Sequence, residues 1–321
     1  MDLYGGGPVS AVRSFFHGIS TGFARFVKWT GFGNKTLMDY VELIVLPLVL
    51  LVGGTFVSEA LNASAREQAL ENAQEQRLQD YLGQVSSLTL DRQLLGGELN
   101  PQQATLVREV ARAQTLTALD GMDGPRKRFV ITFLYELGLV NGVDARISLE
   151  NAELTGADLS GAELFAANLN GTRLEAANLT RARLTSAHLD HANLRRADLT
   201  GVLLVDARLN GTDFRLATLP KANLSNASMF NADLRGADLS GSNLSGANLR
   251  SADLRGANLT GADLTGSNLT DAILGTDSSD PETFTDLDDV TWSGTVCPDR
   301  LLSDTNDNSC SGHLLPRGST P

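Results

Sequence analysis

From Leu149 to Leu274 one position recurs every five residues, 26 times, and it is leucine at every site except Phe214 and Met229. Neither common backbone period makes such a spacing useful. On an α-helix, at about 100° per residue, five residues advance about 140°, so the leucines would scatter around the axis. On a flat strand five is an odd number, so successive leucines would alternate faces. The spacing therefore requires a chain that turns a corner every five residues and winds closed, with every leucine facing one axis.

The neighbouring positions fit that winding. Two residues before the leucine stands alanine in 20 of the 26 units; the others carry Ile147, Thr172, Val202, Thr212, Ser242 and Ser267. A small residue beside leucine fills a tight corner. The intervening residue is usually Asp or Asn, and the two that follow favour Ser, Thr or Arg and then Gly. Glycine and asparagine tolerate the backbone that such corners need. Each unit is then one structural step stacked on its neighbours, with coils pairing at about 4.8 Å as in any sheet.

The pattern A(D/N)LxG resembles that of the bacterial pentapeptide-repeat proteins, and the chain is similar to their membrane-anchored members. The resemblance implies an all-β solenoid, a right-handed quadrilateral pentapeptide-repeat β-helix with four repeats per coil. On that geometry 26 repeats make about six and a half coils, a rod about 30 Å tall. The stretch "RAQTLTALDGMDGPRKRFVITFLYELGLV" is similar to the region before the repeats in membrane-anchored members. The tail "TWSGTVCPDRLLSDTNDNSCSGH" is similar to the cysteine-containing tails of exported members. The family implies little about activity.

Ahead of the repeats, "LIVLPLVLLVGGTFV", residues 43–57, is fifteen residues without a charge. Extended to 40–58 it reads as a transmembrane helix, near the ~20 residues that a bilayer core needs. Pro47 and the Gly53–Gly54 pair are tolerable there; a buried core helix is the plainer alternative. Arg13, Arg25, Lys28 and Lys35 precede the span, whereas the next twenty residues offer only Arg66 and Arg77. The excess of positive charge places the N-terminus in the cytoplasm and the repeats outside it.

Residues 1–39 carry Val12, Phe15, Phe16, Ile19, Phe23, Phe26 and Val27 at helical spacing among basic residues, as a basic amphipathic segment on the cytoplasmic membrane face does. A cleaved signal peptide competes with this reading, because "ASA" at 63–65 resembles a cleavage site. Residues 59–146 read as a helical stalk and N-terminal cap. Leu78, Tyr81, Val85 and Leu88 form a stripe, and Asn100–Pro101 and Asp123-Gly-Pro125 open two further helices. The face of Phe129, Phe133, Leu134 and Leu137 is expected to lid the first coil. Residues 276–321 read as an acidic C-terminal cap, in which Phe284, Val290 and Trp292 fold across the last coil.

Charge narrows the partners. Residues 147–275 hold fourteen acidic and eleven basic side chains, and residues 276–321 hold nine and two. A nearly neutral body with an acidic tail argues against nucleic acid, which needs a basic surface. Cys297 and Cys310 lie thirteen apart in polar, loop-like stretches. Two free thiols in a cytosolic tail are one reading; a bridge, contributing roughly 3 kcal/mol and implying an oxidising compartment, fits better.

With four repeats per coil, residues twenty apart stack. Arg195, Arg215, Arg235 and Arg255 then form a column, beside a second of Asp213, Asp233 and Asp253. An anionic partner could use the arginines, but neighbouring aspartates neutralise them, at about 0–1 kcal/mol per exposed pair. Phe165, Leu203 and Val205 stand where neighbours have polar residues and form a candidate docking patch; Leu216 and Phe230 are also apolar where the rule wants polar. No nucleophile or paired carboxylates accompany His188 and His191, and two histidines three apart are too few for zinc. Asp304, Asn306 and Asn308 lack the glycine and closing glutamate of a calcium loop. No catalysis, cofactor, metal or small-molecule substrate is expected.

The sequence thus describes a structural scaffold, a single-pass anchor presenting a β-helical rod to an unknown protein partner in the membrane or envelope. Its place is a cell membrane or an internal bacterial membrane, with the repeats extracytoplasmic. The alternative is a topoisomerase inhibitor that mimics DNA, as the family implies for some strongly acidic members.

Overall fold

The structure is a computed structural model that describes residues 46–90, 100–140, 145–275, 284–303 and 309–310. The chain divides into two compact units, Met1–Leu70 and Glu71–Pro321. Helix α1 spans Leu46–Leu90, α2 Pro101–Asp120 and α3 Gly124–Glu136. The amphipathic segment at 1–39 lies outside the described residues, as do 40–45 of the expected span. Its remainder, 46–58, is the start of α1, which runs on without a break into the expected stalk. Among the described residues no helix is long and apolar enough to cross a membrane.

Within the second unit the helices form a small core. Asn100 caps α2 by accepting from the Gln103 N–H while the Gln103 side chain accepts from the Asn100 N–H, and Pro101 takes a position where no N–H is missed. Leu78, Tyr81 and Val85 of α1 are buried with Ala111, Ala118 and Leu119 of α2. The Tyr81 hydroxyl meets Thr115 Oγ1 at 2.9 Å, and burial pushes the Tyr81 phenol up to about 12.

Helix α3 seats the first coil, and of the face expected to do so only Leu134 is fully buried. Lys127, Val130, Ile131 and Leu134 are buried, at the i, i+3, i+4, i+7 spacing of one stripe. Phe129 lies off that stripe and is 51% exposed, whereas Phe133 and Leu137 only border the core. Lys127 Nζ donates to the Thr155 carbonyl at 3.2 Å, and burial pulls its pKa below the usual lysine range. Close approach is made possible by Gly124: a Cβ there would sit 2.7 Å from the Gly156 carbonyl oxygen.

From residue 145 onward the chain winds as a four-sided parallel solenoid. Residues twenty apart are bridged in parallel, from Glu153↔Arg173 through Asp253↔Ile273. The paired runs are single residues, so the described residues contain no extended strand. A five-residue side has two inward positions and a turn, which leaves one outward residue between them to pair. Leu154 N–H donates to the Arg173 carbonyl above at 2.8 Å, and Arg173 N–H returns to the Ala152 carbonyl at 3.0 Å. Leucine positions throughout are buried, and so are nearly all alanine positions; Ala162 is partly exposed. Positive φ recurs at the second residue after the leucine, at Gly156 and Gly161 but also at Ala166, Arg181 and Leu216.

The winding does not end at Leu274. After residue 275 the bridges resume as Asn258↔Asp286, Asp263↔Thr291 and Asn268↔Val296. The separation has widened from 20 to 28, so the register carries an insertion, and the periodicity of the sequence is lost there without loss of the fold. Leu287, Trp292 and Cys297 thereby occupy leucine positions. Trp292 and Cys297 are buried and Val290 borders the core, while Phe284 is exposed. The tail therefore adds three more sides to the solenoid rather than lying across its end.

A hairpin then stops the stack. Val296 pairs with Leu302 in antiparallel fashion, Cys297 N–H donates to the Leu301 carbonyl, and Ser303 N–H donates to the Thr295 carbonyl. An antiparallel pair consumes edge groups that a further parallel coil would have used. Arg300, in the turn, reaches Asp271 one coil below at 3.2 Å.

Candidate interaction faces

The outward residues before and after each leucine decide what each side offers. On most sides the residue before is Asp or Asn, and its side chain accepts the N–H of the residue after: Asp158 from Ser160 at 3.1 Å, Asp198 from Thr200 at 2.9 Å, Asp263 from Thr265 at 2.9 Å. This Asx turn satisfies a corner N–H that the bridges leave free. At Pro220, two residues after Thr218, there is no N–H to satisfy.

The side centred on Leu189, Leu209 and Met229 breaks the rule, because His188 and Arg208 bring no Asx oxygen there and the Ser228 hydroxyl donates to Asn210 Oδ1 at 2.8 Å. The N–H groups are taken by the coil below instead. Asn170 Oδ1 accepts from Asp190 N–H at 2.9 Å, Asp190 Oδ1 from Asn210 N–H at 2.9 Å, and Asn210 Oδ1 from Phe230 N–H at 3.1 Å. Asp190 is buried, bonded to Asn210 Nδ2 as well and paired with Arg208 at 2.7 Å. A shallow groove of about 500 Å³ runs along this ladder, lined among others by His191 and Gly171. Within it, Asn170, Asp190, Arg208 and Asn210 are engaged in holding the coils. Sequence reading missed this ladder, although the absence of Asx before three consecutive stacked core residues, Leu189, Leu209 and Met229, was a visible signal.

On the next side, Arg215, Arg235 and Arg255 each grip the aspartate of their own unit. Their Nε groups donate to Asp213, Asp233 and Asp253 at 2.8, 2.8 and 2.9 Å, with Nη2 on the second oxygen. Diagonal contacts at 3.4 and 3.7 Å link Arg215 to Asp233 and Arg235 to Asp253. Burial alone would raise the Asp233 pKa, but the Arg235 hydrogen bonds and the charges of Arg235 and Arg215 outweigh it and hold the carboxyl low. The aspartate bonds in turn raise the Arg235 guanidinium. Arg195 differs: Asn193 stands in place of the aspartate and takes its N–H, and Arg195 Nε is buried with no hydrogen-bond partner. The four arginines thus form one column but not one free basic strip.

Phe165 is 50% exposed on a third side, while Leu203 and Val205 are half-buried. Leu203 bridges Arg183 and Asn223, so its backbone belongs to the ladder of that side. At the C-terminal end Cys297 and Cys310 are joined in a disulfide, with Cα atoms 5.4 Å apart and both residues fully buried. Among the described residues no group of three or more His, Cys, Asp or Glu is placed to hold a metal ion.

These features define a class: a repeat solenoid whose outward groups are largely paired with one another. Eight copies of the "Pentapeptide repeats" family model match, in segments running from residues 145–181 to 232–271. The chain belongs to the pentapeptide-repeat proteins. It is similar to a pentapeptide-repeat protein of the Arabidopsis thaliana thylakoid lumen, 31% identical over 36% of this chain and 76% of that one, with a TM-score of 0.30. HetL, involved in heterocyst differentiation regulation in the cyanobacterium Nostoc sp. strain PCC 7120, is 31% identical over 54% of this chain and 98% of its own, with a TM-score of 0.17. QnrB1, a plasmid-mediated fluoroquinolone resistance protein, is 24% identical over 44% and 81%, with a TM-score of 0.21. Among curated protein sequences none matches.

Proposed function

We propose that this protein is a membrane-anchored scaffold that presents its solenoid as a docking rod on the extracytoplasmic side, with the N-terminus in the cytoplasm. One observation carries the scaffold reading. Both ends of the solenoid are closed, by α3 below and by the disulfide-tied hairpin above, so only its sides are left to meet a partner. Closed ends are what a rod needs if it is to work without stacking on itself.

The location rests on two further features. The Cys297–Cys310 bridge suits an oxidising compartment. The uncharged stretch at 43–57, with its basic flank on the N-terminal side, suits an anchor whose C-terminal side faces outward. The partner is a protein of the membrane or envelope.

A topology experiment tests this reading: a reporter active only outside the cytoplasm is fused after Pro321 and its activity is compared with a cytoplasm-only reporter at the same site. Activity of the first alone, with the chain in the membrane fraction resisting carbonate extraction, is the expected result. A cytoplasmic reporter or a carbonate-soluble chain would overturn the anchored, outward arrangement.

A further inference from the structure

The ladder on the side of Leu189, Leu209 and Met229 places asparagine directly before two corner glycines, in Asn170–Gly171 and Asn210–Gly211. These are the two Asn–Gly bonds among the described residues. The other corner glycines of the solenoid follow Ser, Thr or Arg, whose side chains offer the glycine nitrogen no carbonyl.

An Asn–Gly bond carries its own reaction. The glycine nitrogen, once it has lost its proton, attacks the asparagine Cγ, and no glycine side chain obstructs it. A C–N bond forms, the bond to the side-chain nitrogen breaks, and ammonia leaves with the proton that the glycine gave up. Water then opens the imide ring at either carbonyl, leaving aspartate or isoaspartate.

In the solenoid both reacting groups of each bond are held by one residue of the coil above. Gly171 N–H donates to the Asp190 carbonyl at 2.9 Å, and Asp190 N–H donates to Asn170 Oδ1 at 2.9 Å. Gly211 N–H donates to the Phe230 carbonyl at 2.9 Å, and Phe230 N–H donates to Asn210 Oδ1 at 3.1 Å. The Ser228 hydroxyl donates to that same Oδ1 at 2.8 Å. One bond of each pair keeps the proton on the nitrogen that must lose it. The other fixes the side-chain carbonyl that must turn toward that nitrogen. Ring closure breaks both, so it requires the coil above to lift. The products then oppose its return. Isoaspartate adds an atom to a backbone wound at twenty residues per coil. Aspartate at 210 sets a carboxylate where Asn210 Nδ2 now donates to Asp190 Oδ1.

We propose that Asn170–Gly171 and Asn210–Gly211 are latent modification sites, deamidated when the coil above lifts and held unmodified by the backbone of that coil. The conversion is one-way, so each event records an opening of the stack.

Peptide mapping by mass spectrometry of the full chain, with its disulfide intact, tests this at mildly alkaline pH. In the folded chain both bonds should convert slower, by about tenfold or more, than in the same chain held unfolded in urea. Phe230→Pro removes the N–H that holds Asn210 Oδ1 and keeps the carbonyl that holds Gly211. The fold already accepts proline there: Pro220 stands at the matching position of its unit, and its carbonyl takes the Gly201 N–H at 3.0 Å. This variant should convert Asn210 several-fold faster and leave Asn170 unchanged. Should it not fold, Ser228→Ala, which takes the hydroxyl from Asn210 Oδ1, gives the same comparison. Equal rates in the folded and unfolded chains would overturn the proposal. So would a variant with native circular dichroism in which Asn210 converts no faster, or in which both sites rise together.

Discussion

Asp190 Oδ1 accepts two hydrogen bonds from Asn210 one coil above, from its backbone N–H and its side-chain Nδ2, each at 2.9 Å. The contact replaces the Asx turn that Arg208 cannot make, and it ties two coils through a buried carboxylate. Asp190→Ala leaves the Asn210 N–H and the Arg208 guanidinium without this partner, a loss of about 1–3 kcal/mol. Asp190→Asn keeps the acceptor and loses only the ion pair, whose Arg208 end is largely exposed. Thermal melting should therefore rank wild type, Asn and Ala in that order, with the larger step to Ala. Equal melting for all three would show that the ladder does not hold the coils.

The corner glycines divide by what lies below them. Gly211 and Gly261 both have positive φ, but a Cβ on Gly211 would lie 2.6 Å from His191 Nδ1, whereas at Gly261 nothing stands within 4 Å. Both alanine variants carry the left-handed backbone cost of roughly 1 kcal/mol. Gly211→Ala should be the more destabilising in urea titration, and His191→Ala should remove the difference. Should the two glycine variants melt alike, steric contact between coils is not what selects glycine at the corner.

The inward register predicts a sharp contrast between adjacent residues. Leu239 is fully buried and Ser240 is on the surface side of the same unit. Leu239→Ala should cost about 2–5 kcal/mol and Leu239→Arg should unfold several coils. Ser240→Arg should leave the melting temperature within a degree or two, because surface substitutions rarely exceed about 0.5 kcal/mol. Circular dichroism on the three variants measures it.

Acid should loosen the solenoid through its depressed carboxyls. Asp233 has a folded-state pKa held below its ordinary value by Arg235 and Arg215 against the opposing effect of burial. Glu153, Asp158 and Asp198 are lowered too. A depressed carboxyl pKa contributes stability that is present above the unfolded value, near 4, and is lost as pH falls through the folded value. Stability should thus be flat from pH 7 to about 5 and decline below it. Asp233→Asn should shrink that decline; an unchanged acid profile would remove Asp233 from its cause.

The last sides of the solenoid keep it from adding to itself. Truncation after Gly275 exposes the coil edge now bridged by Asp286, Thr291 and Val296. Light scattering should show oligomers that grow with concentration for the truncated chain, beyond those of the intact one. Cys297→Ser/Cys310→Ser should lower the melting temperature and leave the register intact, since Cys297 already fills a leucine position. A truncated chain that matches the intact one across the concentration range would assign the tail another role.

The sequence by itself determined the solenoid. A leucine every fifth residue with alanine two before it admits one way to bury both, and each unit repeats the same short-range contact. The aspartate and arginine columns were legible for the same reason, because a constant twenty-residue coil turns spacing into stacking. Only the tertiary structure decided the two ends and the Asn170–Asp190–Asn210 ladder. At the C-terminal end an insertion shifts the register from 20 to 28, so Leu287, Trp292 and Cys297 fill leucine positions that no periodicity announces. At the N-terminal end α3 is apolar on more than one face, and docking chose Val130, Ile131 and Leu134 over Phe129. Periodicity fixes what each unit repeats; what happens once, at an end or where an Asx is missing, depends on which orphaned N–H groups and open edges the rest of the fold brings within reach.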